Sequence, residues 1–250
     1  MTISYGGSST IINPKQTLVL LHYFGGSAQS WNWTIPFLSK NYTCVALNLP
    51  GFGGEPALDE PSIAGMSSFI RQKLESMDIE SYVLVGHSMS GKIAVNMAAN
   101  DPNMAIKQLI LVAPSPPTVE QIPDEDLQKM LNHPNQQQAE NTVKSITIKP
   151  ISSEQQELII RNNLETDRKT WDWWCLQGTK HSIAEDTEHL FLPITLLTSE
   201  DDPAISFKSI LEEAIPNLPD VKLITVKGVG HLIPMEAPEW LAAEIEKAII

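Results

Sequence analysis

The chain has 250 residues, of which 42% are hydrophobic and 19% are charged, as in ordinary soluble globular proteins. Its formal net charge of −13 argues against a nucleic-acid partner, because phosphate binding needs a basic face. No apolar run approaches the roughly 18 residues of a membrane span, and the start lacks the basic and apolar segments of a secretory signal. We therefore expect a cytoplasmic protein without a membrane span.

Short apolar runs alternate with longer amphipathic ones, which predicts an α/β protein with a mostly parallel central sheet and helices on both faces. The short runs are rich in Val, Ile and Leu without strict alternation, as is typical of strands buried on both faces. Strands are predicted at 17–22, 43–49, 81–86, 108–113, 194–199 and 222–227, and segments 3–7 and 10–12 are candidates for antiparallel edge strands. Helices are predicted at 30–40, 62–77, 91–100, 206–215 and 238–250.

Residues 115–189 interrupt this alternation. They open with the turn-rich segment "PSPPTVEQIP" and contain helical patterns but no convincing strand. We predict a helical cap insertion over one end of the sheet, with residues 1–114 and 190–250 forming the core. A separate interaction module is the alternative.

The pentapeptide Gly86-His87-Ser88-Met89-Ser90 joins a predicted strand to a predicted helix. A serine in that context occupies a nucleophile elbow, a tight turn that holds the hydroxyl above the carboxyl end of the sheet. The residues two before and two after the serine must be small, because the strand and helix backbones approach closely there. Gly86 meets this requirement, and Ser90 departs from the usual glycine. The alternative is a Gly/Ser turn that only caps the helix.

A serine hydroxyl is a weak nucleophile at neutral pH and needs a histidine base that is oriented by an acid. One later strand is followed by Glu200, Asp201 and Asp202, and the next strand is followed by His231. The order serine, acid, histidine is the one found in proteins with a nucleophile elbow. Loops at one end of a parallel sheet can bring these three groups together.

Five motifs in this order resemble the α/β-hydrolase superfamily, in particular small serine hydrolases and esterases with a helical cap. The motifs are "LLHYFGGSAQSW", "LNLPGFGG", "VGHSMSG", "SEDDPAI" and "GVGHLIPMEAPEW", and they span nearly the whole chain. The resemblance implies an α/β-hydrolase fold and a catalytic triad with Ser88 as nucleophile, His231 as base and Asp202, the aspartate before proline, as acid. Asp201 is the competing candidate for the acid.

The loop that begins at His22 resembles the family's oxyanion loop. The resemblance assigns the oxyanion hole to the backbone amides of Phe24 and Met89. We interpret His22 as an anchor of this loop. Tyr23 stands where glycine is usual, and it either narrows the pocket beside the substrate or points away and packs.

We assign substrate contacts to Tyr23, His87, Trp171 and Trp174. The alternative for His87 is local support of the elbow, and the alternative for the tryptophans is packing of the cap. An apolar pocket favours an apolar, uncharged ester, thioester or lactone as the small-molecule substrate. We predict a serine hydrolase that cleaves carboxylic esters through an acyl-enzyme on Ser88. The first alternative is the same triad used for carbon–carbon bond hydrolysis, perhydrolysis or a cofactor-free lyase reaction. The second is a non-enzymatic ligand-binding protein.

No cofactor and no metal ion are expected. His133, His181 and His189 lack metal-ligand spacing, and the sequence contains neither a dinucleotide fingerprint nor a phosphate loop. We interpret Cys44 and Cys175 as reduced, buried thiols, with a disulfide as the alternative. A homodimer is one alternative for the assembly of the chain.

Overall fold

A sheet of six parallel strands forms the centre of the computed structural model, which describes residues 15–250. The strands lie in the order β2-β1-β3-β4-β5-β6. In chain order they are β1 (Thr17–Leu21), β2 (Thr43–Leu47), β3 (Tyr82–His87), β4 (Ile106–Val112), β5 (Ile194–Ser199) and β6 (Val221–Val226). Each strand agrees with a predicted one to within two residues at either end. The candidate edge strands at 3–7 and 10–12 lie outside the described residues.

Both faces of the sheet are covered, so successive residues of a strand pack into different clusters. Val19 and Leu84 belong to a core cluster that includes the apolar sides of α2 (Ile63–Glu75) and α3 (Met89–Ala99). Leu20 belongs to a second cluster on the opposite face. Strands that are apolar on both faces bury nearly every side chain, which explains why their sequences read as continuous apolar runs. The predicted fold class, a parallel sheet with helices on both faces, is confirmed.

The second cluster is closed by helices from both ends of the chain, α1 (Ile35–Leu38) and α10 (Pro238–Ala248). The remaining helices of the core are α8 (Phe207–Ser209) and α9 (Ile233–Glu236). Among residues 15–250, no helix combines the length and the apolar character that a membrane crossing requires.

The prediction of a continuous helix is wrong for two segments. Each is interrupted in the structure, and a proline accounts for each interruption. The predicted helix 30–40 is a 3₁₀ turn at Ala28–Trp31 followed by α1, because Pro36 has no N–H and fits only the first turn of a helix. The predicted helix 206–215 is α8 followed by a π turn at Ile210–Ala214 and a 3₁₀ turn that contains Pro216. Pro216 cannot donate the hydrogen bond that would continue an α-helix.

The segment 113–193, between β4 and β5, contains helices and turns and no strand. Its helices are α4 (Asp124–Leu131), α5 (Gln136–Ile146), α6 (Ser153–Glu165) and α7 (Arg168–Trp173), followed by a π turn (Trp174–Gly178) and a 3₁₀ turn (Glu185–His189). Helix α4 has no buried side chain, and Nε1 of Trp171 donates a hydrogen bond to the Met130 carbonyl, 2.8 Å away. This bond fastens α4 to the rest of the segment.

The two cysteines are separate free thiols. Cys175 is buried in the π turn, as predicted. The prediction that Cys44 is buried is wrong: its side chain is half-buried, because β2 is an edge strand of the sheet.

We predict that Gly86→Ala destabilises the fold, because a Cβ at position 86 would lie 2.4 Å from the backbone carbonyl oxygen of Ser90. Such overpacking costs about 1–3 kcal/mol of the free energy of unfolding. Urea denaturation measures this loss. The matched control is Gly65→Ala on α2, where a Cβ would meet side-chain ends of Leu58 and Ser62 rather than backbone, and where displacing Ser62 costs no more than its hydrogen bond from the Gly65 N–H. Equal losses in the two variants would contradict the close backbone approach at Gly86.

Candidate active site

Ser88 lies in a strained turn between the end of β3 and the start of α3. Its backbone has φ +56° and ψ −120°, a conformation that residues with a Cβ rarely adopt. The surroundings hold it there: its N–H donates to the Val112 carbonyl (2.9 Å), and its own carbonyl accepts from the N–H groups of Gly91 (2.8 Å) and Ser115 (3.0 Å). Strain of this kind persists only where neighbouring contacts over-determine it. The turn directs the Ser88 hydroxyl away from the sheet and into a cavity.

The departure from glycine at Ser90 has a structural role. The Ser90 hydroxyl donates a hydrogen bond to the backbone carbonyl of His22, in the loop that follows β1. Ser90 is fully buried, so the hydroxyl satisfies a carbonyl that water does not reach. A glycine would fit the turn but could not make this link between the serine turn and the β1 loop.

The structure brings Ser88, His231 and Asp202 together, although they lie on three different loops. Nε2 of His231 is 2.8 Å from the Ser88 hydroxyl oxygen, and Nδ1 of His231 is 2.7 Å from a carboxylate oxygen of Asp202. The other carboxylate oxygen of Asp202 accepts from the N–H groups of Ala204 (2.8 Å) and Ile205 (3.0 Å). Because a carboxylate only accepts, Nδ1 carries the proton and Nε2 is left to accept from the serine hydroxyl.

Electrostatics favour a protonated imidazole at this position. Burial of His231 lowers its pKa, but the charge and hydrogen bond of Asp202, together with the charges of nearby carboxyl groups, outweigh burial and raise the pKa above the usual 6.5. The carboxyl groups of Glu120 and Glu236 act in the same direction. The site is therefore suited to accept a proton on His231 and to stabilise the resulting charge.

The competing acids point elsewhere. Asp201 accepts a hydrogen bond from the N–H of Gly228 (2.7 Å) and lies at the surface. Glu200 accepts from the Thr225 hydroxyl (2.9 Å) and pairs with Lys227. Neither carboxylate contacts His231, so only Asp202 among the three is placed to orient it.

The backbone amides of Phe24 and Met89 have no acceptor among residues 15–250. Met89 opens α3, where the first N–H groups of a helix have no intrahelical partner. The Phe24 loop is held by His22, whose Nδ1 donates to the Tyr23 carbonyl (2.8 Å) and whose Nε2 accepts from the N–H of Leu49 (3.2 Å). Burial lowers the pKa of His22 to about 4, so this anchor is a neutral imidazole.

Tyr23 lies in the cavity wall, whereas His87 lies beneath the site. The Tyr23 ring folds over Gly26, where a Cβ would come within 2.7 Å of it, and packs with side chains of α5 and α6. Its side chain is almost wholly buried where it lines the cavity. His87 is fully buried, and its Nε2 donates to the backbone carbonyl of His231 (2.9 Å). The assignment of His87 as a substrate contact does not agree with this position, which supports the loop of His231 instead.

A cavity of about 920 Å³ opens above Ser88 and His231. Trp171 and Trp174 both line it, whereas Trp173 faces a separate surface groove. Trp171 packs against Phe24 with ring centroids 4.3 Å apart. The lining also includes polar side chains from the 113–193 segment, among them Gln121, Asn132, Asn135, Gln138, Asn141 and Asn163. The lining is therefore mixed, with polar side chains beside the apolar rings, whereas the sequence predicts an apolar pocket.

Two carboxyl groups near the site were not identified from the sequence. Glu236 is buried and accepts hydrogen bonds from four backbone N–H groups, those of Ile148, Lys149, Gly230 and Leu232, at 2.8–3.1 Å. Glu120 lies in the cavity wall. The only sequence signal for Glu236 is its position in the motif that contains His231, and no sequence signal distinguishes Glu120 from a surface carboxylate. Among residues 15–250, no group of three or more His, Cys, Asp and Glu side chains is placed to hold a metal ion.

Fold and site together define the class of the protein. The model of the alpha/beta hydrolase family matches residues 18–244, and the chain belongs to that family. This confirms the resemblance drawn from the five sequence motifs.

Individual similar proteins carry different names. The dihydrolipoyllysine-residue acetyltransferase component of the acetoin cleaving system of Cupriavidus necator is 35% identical over 100 residues, which are 40% of this chain and 26% of that protein. The chain thus spans only about a quarter of that relative. An esterase from Exiguobacterium antarcticum shares the fold with a TM-score of 0.84 at 14% identity, over 94% of this chain and 92% of its own. A putative lipase from Acinetobacter baumannii has a TM-score of 0.80 at 24% identity, over 97% of this chain and 84% of its own.

We predict that Asp202→Asn lowers the pKa of His231, because the carboxylate that raises this pKa most is removed while burial remains. An NMR titration of the histidine ring nitrogens measures the change. Asp201→Asn is the matched control, since it removes the adjacent carboxylate without touching His231. An unchanged His231 pKa in Asp202→Asn would show that Asp202 does not govern the imidazole.

Proposed function

We propose that this protein is a serine hydrolase that cleaves carboxylic esters, thioesters and lactones included, through an acyl-enzyme on Ser88. The observation that carries the proposal is the unbroken hydrogen-bond chain from Asp202 through His231 to the Ser88 hydroxyl at the wall of a cavity. A nucleophile, a base and an orienting acid at hydrogen-bond distance are the arrangement that activates an otherwise weak serine hydroxyl.

In the first half-reaction, the Ser88 oxygen attacks the carbonyl carbon of the ester while Nε2 of His231 takes the hydroxyl proton. Asp202 keeps the proton on Nδ1 and stabilises the imidazolium that forms. The carbonyl oxygen becomes an oxyanion, for which the N–H groups of Phe24 and Met89 are the proposed donors. Their lack of other acceptors among residues 15–250 supports this role. One such donor is worth about 3 kcal/mol of transition-state stabilisation.

Collapse of the tetrahedral intermediate expels the alcohol, which receives the proton from Nε2 of His231. The acid part of the substrate is then bound to Ser88 as an ester. In the second half-reaction, His231 takes a proton from water, the water oxygen attacks the acyl carbon, and Ser88 leaves with its proton restored. The reaction consumes ester and water and produces an acid and an alcohol, with no cofactor.

Substrate choice is assigned to the cavity and to the helices above it. We take residues 115–189 as a cap, because α4 and α5 contribute much of the cavity lining. Trp171 and Trp174 offer apolar ring faces to an acyl or alcohol group. The volume of about 920 Å³ suits a small-molecule substrate.

Ser88→Ala is expected to lower kcat for a short p-nitrophenyl ester by about 10⁴-fold or more, since removal of the nucleophile abolishes the acyl-enzyme route. Steady-state spectrophotometry measures the rate. Ser76→Ala is the control, because the Ser76 hydroxyl bonds only the nearby Lys73 carbonyl at the surface. A Ser88→Ala protein with the original rate would rule out Ser88 as the nucleophile. A native protein that binds esters without turnover would favour a binding function.

The rate is expected to depend on pH through His231. The imidazole must be neutral to accept the serine proton, and its pKa is raised above 6.5, so kcat/KM rises with pH through that raised value. The activity is lost as the pH falls below it. A profile of kcat/KM between about pH 5 and pH 8 measures the dependence. A flat profile across that range would contradict the assignment of His231 as the base.

A further inference from the structure

Glu120 is a carboxyl group in the cavity wall that the proposed reaction does not use. It lines the same cavity as Ser88 and His231. It is also close enough to His231 and Asp202 for their charges to affect its pKa. A carboxyl group that is partly removed from water is costly to keep unless it has partners or a task.

The side chain and backbone of Glu120 are fixed by the serine turn and its neighbours. The Ser115 hydroxyl donates to Oε2 of Glu120, and the N–H of Ser115 donates to the Ser88 carbonyl (3.0 Å). The N–H of Glu120 donates to the Thr179 carbonyl (2.8 Å). Glu120 is therefore tied, through one residue, to the backbone of the proposed nucleophile, and its position relative to Ser88 is well defined.

Buried Lys92 holds the loop that contains Glu120 in place through hydrogen bonds to backbone carbonyls. Its Nζ donates to the carbonyls of Thr118 (2.8 Å) and His181 (3.1 Å). Burial lowers the pKa of Lys92 to about 8, and the Glu120 carboxylate opposes that decrease. Lys92 thus holds the segment just before Glu120 without hydrogen-bonding the Glu120 carboxyl itself.

The second carboxyl oxygen of Glu120 is available to a ligand. Oε1 accepts no hydrogen bond from residues 15–250, and it is not among the fully buried polar atoms that lack a partner. Burial raises the pKa of this carboxyl, although the Ser115 hydroxyl and Lys92 oppose the increase. A carboxylate oxygen accepts hydrogen bonds, so Oε1 can accept one from a donor on a bound molecule.

The charges around the cavity limit what that donor can be. The lining carries Glu120, Asp126, Glu212 and Glu213 against two lysines, Lys129 and Lys208. Both lysines already pair with acidic side chains on their own helices or turns. The surplus of acids disfavours an anionic group. A cationic amine beside Glu120 would lie near His231 and oppose its protonation during the reaction. A neutral hydroxyl group is not repelled by the acidic side chains and adds no positive charge near His231.

We propose that Glu120 is a specificity-determining residue that accepts a hydrogen bond from a hydroxyl group of the substrate. The preferred substrates are then neutral esters with a hydroxyl on the alcohol or acid part, rather than hydrocarbon esters of the same size. This inference rests on the proposed ester hydrolysis at Ser88.

The test compares matched ester pairs that differ only in hydroxyl groups. Glyceryl monobutyrate is compared with propyl butyrate for the alcohol side, and methyl β-hydroxybutyrate with methyl butyrate for the acid side. The native protein is expected to show a kcat/KM about tenfold higher for the hydroxylated member of at least one pair, as one well-made hydrogen bond gives. Glu120→Leu is expected to remove that preference, and Glu120→Gln, whose amide oxygen still accepts, is expected to keep part of it.

The ratio within a pair separates recognition from a structural role. If Glu120 only supported the loop, Glu120→Leu would lower kcat/KM equally for both esters of a pair and leave their ratio unchanged. That result would overturn the inference. Hydrolysis by the native protein without preference in either pair would overturn it too, with no variant required, while leaving ester hydrolysis intact. If Ser88-dependent hydrolysis of every ester were absent, both proposals would fail.

Discussion

The hydrogen bond between Asp202 and Nδ1 of His231 is the interaction on which the arrangement of the site depends. It fixes which ring nitrogen carries the proton and turns Nε2 toward the Ser88 hydroxyl, 2.8 Å away. It also supplies the charge that offsets the burial of the imidazole. Without it, a buried histidine would favour its neutral form with either tautomer, and the serine hydroxyl would lack a defined acceptor.

The fold provides this interaction by bringing the carboxyl ends of β3, β5 and β6 to one edge of the parallel sheet. Glu236 further fixes the position of the His231 loop. Its carboxylate accepts hydrogen bonds from the N–H groups on both sides of His231 and from those of Ile148 and Lys149, which follow α5. The N–H of His231 itself donates to the carbonyl of Ile146, at the end of α5. His231 is therefore positioned jointly by the sheet and by the segment that covers the cavity.

The sequence was most informative where the cause of a structure is local. Apolar runs predicted the six strands, and the strand–turn–helix context identified the serine turn. The predicted continuous helix 30–40 is wrong because Pro36 forces a new helix start, which apolar periodicity does not reveal. The roles of Ser90, Glu120 and Glu236 could not be predicted. Ser90 bonds a carbonyl 68 residues earlier and Glu236 an amide 88 residues earlier, so their partners become neighbours only after folding. Likewise, nothing near Glu120 in the sequence marks it as a cavity residue.

Whether His231 activates the Ser88 hydroxyl is tested most directly by covalent labelling of the native protein with a fluorophosphonate, followed by peptide mass spectrometry. Such a reagent reacts with a serine only where a neighbouring base activates it. We expect one adduct, on the peptide that contains Ser88, with labelling that weakens at acidic pH as His231 becomes protonated. An unlabelled Ser88 in folded protein, or an adduct on another serine alone, would show that His231 and Asp202 do not activate the Ser88 hydroxyl.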